Sequence, residues 1–251
     1  MTGLLGALVF LTRVPVRTRR NLDTARSVPW FPVVGAFVGL VVGAVAAVLQ
    51  PWASPALAGG TAVVVGLLVT GCFHEDGLAD VADAFVGGWD REGRLRILKD
   101  PRHGTYGVAA LGSSIVLRVL ALGVLVSAGW RVALAAAVAS HALARSAAVA
   151  TMIMGTPATG EGLGSDYVAS LRRGRAAAGI VAGVALAASA TGWWSAVATG
   201  TATVGTIATA AWARRRIGGF TGDVLGAVEQ VSEILALATF AVLADHHTLW
   251  W

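Results

Sequence analysis

The residues able to do chemistry are concentrated between Cys72 and Val108, the most polar run in a chain otherwise dominated by Ala, Val, Leu and Gly. Asp76, Asp80 and Asp83 are spaced four and three residues apart, so a helix would stack them on one face. Glu75 adds a fourth carboxylate beside Asp76. Carboxylates so placed repel one another, and hard oxygen ligands at helical spacing favour Mg2+. About sixteen residues further on, Lys99, Asp100, Arg102 and His103 gather next to Gly104 and Gly107, a basic, glycine-flanked turn suited to holding phosphate. An acidic face and such a turn together read as a phosphoryl-transfer site. The plainer reading is a solvated connector between two membrane spans. The like-signed face, the pair Gly87-Gly88 and the basic turn weigh against it.

The elements that must position these groups are membrane helices. Charged residues make up 13% of the chain, about half the share of a soluble domain, and the mean hydropathy is +0.71. About twenty residues of helix cross the hydrocarbon core of a bilayer. Seven spans are expected, at roughly 31–49, 56–73, 107–127, 132–153, 176–193, 196–213 and 231–244. The stretch from Gly3 to Leu11 is too short to span and lacks the basic lead-in of a signal peptide, so it reads as a half-inserted or interfacial helix. The expected fold is an all-α, polytopic membrane bundle forming one domain over 1–251. Its catalytic loop would be near 74–106, with further loops on the same side near 155–175 and 214–230.

Charge placement orients this bundle. Of nineteen Lys and Arg, sixteen fall in four connecting segments on one side: Arg13 to Arg26, Arg91 to Arg102, Arg172 to Arg175 and Arg214 to Arg216. Only Arg131 falls on the other, so the basic side is expected to be cytoplasmic. Trp52, Trp130, Trp193, Trp194, Trp250 and Trp251 would then anchor the outer interface. All fourteen Asp and Glu except Asp245 are expected on or next to the cytoplasmic side, as suits a protein handling a charged substrate at one membrane face. The net charge of +5 reflects orientation and affinity for anionic lipid head groups rather than nucleic acid. A lone Cys72 excludes an internal disulfide and a multi-cysteine metal site.

Other positions carry two readings each. Arg13, beside Pro15, is a phosphate contact or a snorkelling interface arginine. Arg118, His141 and Arg145 lie deep in spans, where ionisable groups point into the bundle or a polar cavity. They either line a pocket for an anionic or amide-rich substrate or are buried for packing. Asp223 is a helix cap or a further metal or substrate contact. Gly35, Gly39 and Gly43 form a small-residue face for close helix packing.

The chain resembles the cobalamin synthase (adenosylcobinamide-GDP ribazoletransferase) family nearly end to end. The resemblance is carried by F-L-T-R-V-P at Phe10 to Pro15, F-P-V-V-G at Phe31 to Gly35 and H-E-D-G-L-A-D-V-A-D at His74 to Asp83. It continues in L-R-I-L-K-D-P-R-H-G-T-Y-G at Leu95 to Gly107, G-E-G-L-G at Gly160 to Gly164 and G-G-F-T-G-D-V-L-G-A at Gly218 to Ala227. It implies an inner-membrane, Mg2+-dependent enzyme that joins adenosylcobinamide-GDP to α-ribazole or its 5′-phosphate and releases GMP. On that basis Asp76, Asp80 and Asp83 would hold the metal, with Asp223 as a further ligand. Lys99, Arg102 and the Gly104–Gly107 turn would hold the diphosphate, with Arg13 and Arg145 as additional contacts. Either His74 or a metal-bound carboxylate would be the general base. Glu75, Pro101 and His103 depart from the family pattern, so the resemblance gives them no role. A CDP-alcohol phosphotransferase also places D-G and spaced aspartates at a span end, but Asp80 and Val81 stand where its pattern has Ala and Arg. A transporter would account for the deep Arg118, His141 and Arg145 but leave the one-sided acidic and basic clusters unused.

Overall fold

The computed structural model describes residues 2–16, 24–160 and 167–247. They form a helical bundle: α1 (Thr2–Leu11), α2 (Thr24–Ser27) leading through a 3-10 turn (Val28–Trp30) into α3 (Phe31–Leu49), α4 (Pro55–Thr70), α5 (Phe73–Gly87) and α6 (Arg91–Ile97). Then come α7 (Thr105–Ala128), α8 (Trp130–Met154), α9 (Arg173–Thr191), α10 (Trp194–Ile217) and α11 (Gly222–His246). Five stretches are long and apolar enough to cross a membrane: Ala25–Leu49, α7, α8, α9 and α11. The pair α4 and α5 makes a sixth if its two limbs count as one span. The remaining expected span, 196–213, falls within α10, whose 24 residues are long enough but rich in Thr and Gly and end in Arg214, Arg215 and Arg216. The chain is thus a multi-pass membrane protein, close to the expected count.

Helix α8 is the axis of the bundle. Its Ala-rich sequence buries small side chains on nearly every face, so neighbouring helices approach closely. Gly35, Gly39 and Gly43 of α3 supply the other half of that contact. A methyl group on Gly39 would strike the Ala137 carbonyl, and one on Gly43 would come 2.7 Å from Leu134 Cα. This is the packing expected of a small-residue face.

Helix ends follow local chemistry. Ser54 accepts from the Leu57 N–H at the start of α4, Asp90 from Gly93 at the start of α6, and Thr221 from Val224 at the start of α11. Helix α4 stops at Gly71 and Cys72, both left-handed at φ +67° and +58°, and the chain leaves at 92° to begin α5. Gly71 suits that conformation, and a side chain there would also collide with Arg13. The bend changes the expected layout, since 74–106 is mostly helical rather than loop. An exposed carboxylate is costly in lipid, so Asp76, whose side chain is 65% exposed, marks the water-facing side of this pair.

The basic segments gather at one end of the bundle. Arg91 donates to the Ile217 and Ala158 carbonyls and Arg94 to the Arg216 carbonyl, so α6 caps the C-terminus of α10. Arg26 and Arg175 line one cavity. Of the expected outer anchors, Trp52, Trp130 and Trp193 are exposed, whereas Trp194 is fully buried in the core. Trp250 and Trp251 lie outside the described residues, as do Arg17, Arg19, Arg20 and most of the Gly160–Gly164 segment.

Candidate active site

Helix α5 brings two of the three aspartates together. Asp76 and Asp80 stand one turn apart on one face of it, and the ring of His103 closes over both. His103 Nε2 is 3.5 Å from Asp76 Oδ1, and Nδ1 is 3.3 Å from Asp80 Oδ1. One ligand atom from each residue lies within 4.8 Å of the other two, close enough to share a cation. Asp223, in the first turn of α11, joins from the side, with its backbone packed on Gly77 and its carboxylate accepting from Thr221 Oγ1 at 3.1 Å. Hard carboxylate oxygens concentrated here fit Mg2+ by donor type. Burial, then the like charges of Asp76 and Asp223, push the Asp80 carboxyl up to about 6.

Asp83 has different partners. Its Oδ2 accepts from the Gly104 N–H at 2.6 Å and its Oδ1 from the Gly107 N–H at 2.9 Å. The first turn of α7 has amides without intrahelical acceptors, and Asp83 on the facing helix supplies them. The Gly104 and Gly107 amides, expected to face phosphate, are therefore taken by Asp83. Glycine at both positions has a steric reason, since a methyl group on Gly104 would come 2.6 Å from Asp83 Oδ1 and one on Gly107 would also strike the carboxylate. The lock holds the turn bearing His103 against the turn bearing Asp80.

The basic turn is looser than expected. Arg102 is 86% exposed and grips Asp100 with two side-chain bonds of 2.9 and 2.8 Å, which hold the Asp100 carboxyl down at about 2. Lys99 is exposed on the preceding turn. Arg13 lies over the Gly71 bend, its backbone N–H donating to the Val69 carbonyl.

Below the aspartates is a buried ionic network. Arg118 Nη1 donates to Glu75 Oε1 at 2.9 Å and to Glu233 Oε1 at 3.3 Å. Arg145 pairs with Glu233 Oε2 at 2.8 Å and with Glu229, while His141 Nδ1 lies 2.9 Å from Glu233 Oε2. Gln230 bridges Glu75 and Glu229 and accepts from Ser114. The deep cations thus serve a packed network of carboxylates. Arg145 also reaches the wall of a cavity of ≈ 110 Å³, which places His74, Asp76 and Asp223 in its lining as well. His74 is buried there, with Nδ1 3.6 Å from Glu229 Oε2. Glu229 and Glu233, both buried, correct the expectation that nearly all acids sit at the membrane face: α11 starts at Gly222 rather than near 231, so Glu229 joins Glu233 inside the bundle.

The match to known proteins decides the family. A family model described as cobalamin-5-phosphate synthase covers residues 3–241. The chain belongs to that family. Curated relatives agree, each named adenosylcobinamide-GDP ribazoletransferase. A protein of Klebsiella pneumoniae (strain 342) is 36% identical over 92% of this chain and 96% of its own length. One from Ralstonia nicotianae is 36% identical over 92% and 91%, and one from Mesorhizobium japonicum 38% over 94% and 91%. No solved structure matches. Family membership removes the phosphotransferase and transporter alternatives and makes the chain an enzyme. The partners of His103, Glu75 and Asp83 are findings of the geometry. Sequence marked Glu75 as one more carboxylate and His103 as part of the basic turn, but their partners, Arg118 and the Asp76–Asp80 pair, lie too far along the chain for local spacing to show.

Proposed function

We propose that this chain transfers α-ribazole, or its 5′-phosphate, onto adenosylcobinamide-GDP at the cytoplasmic face of the inner membrane, with Mg2+. The name shared by its relatives supports the reaction. The observation that carries the site is the convergence of Asp76, Asp80 and His103 beside Asp223, at the mouth of a cavity reaching into the bundle. The collection of Arg and Lys segments at that same end supports the cytoplasmic assignment.

Asp76 and Asp80, with Asp223, would hold the metal. Bound there, Mg2+ supplies charge neutralisation of the diphosphate and polarisation at phosphorus. A ribose hydroxyl forms a new O–P bond at the cobinamide-side phosphorus, the bridging P–O bond breaks, and GMP leaves with that bridging oxygen. Lys99 and Arg102 stand on the aqueous side, where their charge favours the diphosphate. Arg102 would exchange Asp100 for phosphate. His74, in the cavity wall, or one of the carboxylates at the site would receive the hydroxyl proton. Asp83 positions the His103 turn.

Membranes holding the chain, given adenosylcobinamide-GDP, α-ribazole and Mg2+, should release GMP and a completed corrinoid, and chelation should stop both. Asp80→Asn should lower the rate by about 100-fold or more while the protein still inserts. A fully active Asp80→Asn variant would overturn the metal assignment, and no GMP from the unmodified protein would overturn the reaction.

A further inference from the structure

Two cavities meet beside the carboxylates. The larger, ≈ 380 Å³, includes Thr12, Arg13, Ser27 and Thr70 in its lining. The smaller, ≈ 110 Å³, has Asp76 and Asp223 at its rim and His74 and Arg145 behind. Phe10, Phe73 and Tyr167 belong to the walls of both. The Phe10 ring centroid is 4.9 Å from that of Tyr167, 5.1 Å from Phe73 edge-on and 5.5 Å from Phe31 in a stack. The chain has seven Phe and two Tyr, yet three Phe and one Tyr from four separate segments meet at this point. Phe73 stays 38% exposed, a ring left open to the crevice rather than used to fill the core.

The lining discriminates among flat ligands. The smaller cavity is lined mainly by apolar groups, Phe10, Leu11, Phe31, Phe73, Met152 and Leu225 among them, beside His74, Asp76, Arg145, Tyr167 and Asp223. Guanine carries donors and acceptors around most of its edge, and these walls would leave several unpaired. A benzimidazole presents two faces, an apolar carbon edge and one ring-nitrogen acceptor. We infer that this aromatic crevice binds the benzimidazole base of the acceptor nucleoside, setting its ribose at the Asp76–Asp223 rim, and that the guanosine end of the other substrate lies elsewhere. The inference rests on the transferase reading for the identity of the nucleoside. Stacking on side chains is worth about ten-fold in affinity per ring. A contact made equally in ground and transition states changes KM and leaves kcat alone.

The test uses the full chain in detergent without corrinoid or Mg2+, titrated with α-ribazole and followed by benzimidazole fluorescence. Saturable binding is expected, about ten-fold weaker in Phe10→Ala and in Tyr167→Ala, and not displaced by guanosine. In turnover, both variants should raise KM for α-ribazole by that factor, with kcat and the KM for adenosylcobinamide-GDP within about two-fold. Tyr167→Phe keeps the ring and should bind normally. Phe10→Leu fills the space without a ring and carries the test should the alanine variants misfold. Unchanged α-ribazole affinity in the ringless variants, displacement by guanosine, or a KM rise confined to adenosylcobinamide-GDP would overturn the assignment. Ribazole binding in a protein that releases no GMP would sink the reaction and leave the crevice standing.

Discussion

Asp80 sits where its ionised form is poorly tolerated, with a side chain only 14% exposed and like charges on two sides. The folded protein holds this proton more tightly than the unfolded chain, whose Asp titrates near 3.9. The penalty is therefore absent below about pH 4 and complete above about pH 6. Without divalent cations, Asp80→Asn should stabilise the protein above that window by roughly 1 kcal/mol, after allowing for solvent screening, and not at all below it. Thermal unfolding in detergent at two pH values checks the sign. Mg2+ should raise the transition temperature of the unmodified protein at neutral pH and leave that of Asp80→Asn nearly unchanged. At this scale the sequence was partly legible. The period of the aspartates marked the acidic face, but their partners belong to other elements. The Asp83 lock joins residues 21 and 24 positions apart, and the aromatic cluster draws on residues from Phe10 to Tyr167, so local spacing carries no trace of either.

Two devices position α5: the left-handed bend before it and the buried network beneath it. Gly71→Val should cost about 1–2 kcal/mol for the left-handed backbone alone, and more for the collision with Arg13. Arg118→Met should cost about 3–5 kcal/mol by leaving buried Glu75 without its cation, while Glu233 keeps Arg145. Adding Glu75→Gln to Arg118→Met should recover part of that loss, because the pair is then removed together. Thermal unfolding of the single and double variants measures the coupling. Sequence foretold the small-residue face of α3 because a four-residue glycine repeat is local. It missed the burial of Glu229 because hydropathy delayed the start of the last span. Polar residues that pair inside a bundle look, to a sliding average, like loop.

Across the whole molecule, the Arg-rich segments lie at one end and exposed Trp52, Trp130 and Trp193 belong to connections at the other. In a Cys72→Ser background, single cysteines at positions 91 and 131 should therefore react from opposite sides of a sealed membrane. A membrane-impermeant maleimide added to intact cells should label position 131 and spare position 91. Labelling of both or of neither would contradict the topology. The number of long helices was readable from the apolar runs. Helix α10 was counted on length, although its Thr, Gly and terminal arginines leave it less apolar than its neighbours.

Helix α5 is fastened at both ends: Glu75 is tied to Arg118 inside the bundle, and Asp83 is tied to the start of α7 at its surface. Asp76 and Asp80 hang between these anchorages like rungs on a braced ladder. Loosening either brace should broaden the range of rung positions before it unravels the ladder. Damage far below the water line would then register first as weaker cation affinity in a protein that is still folded.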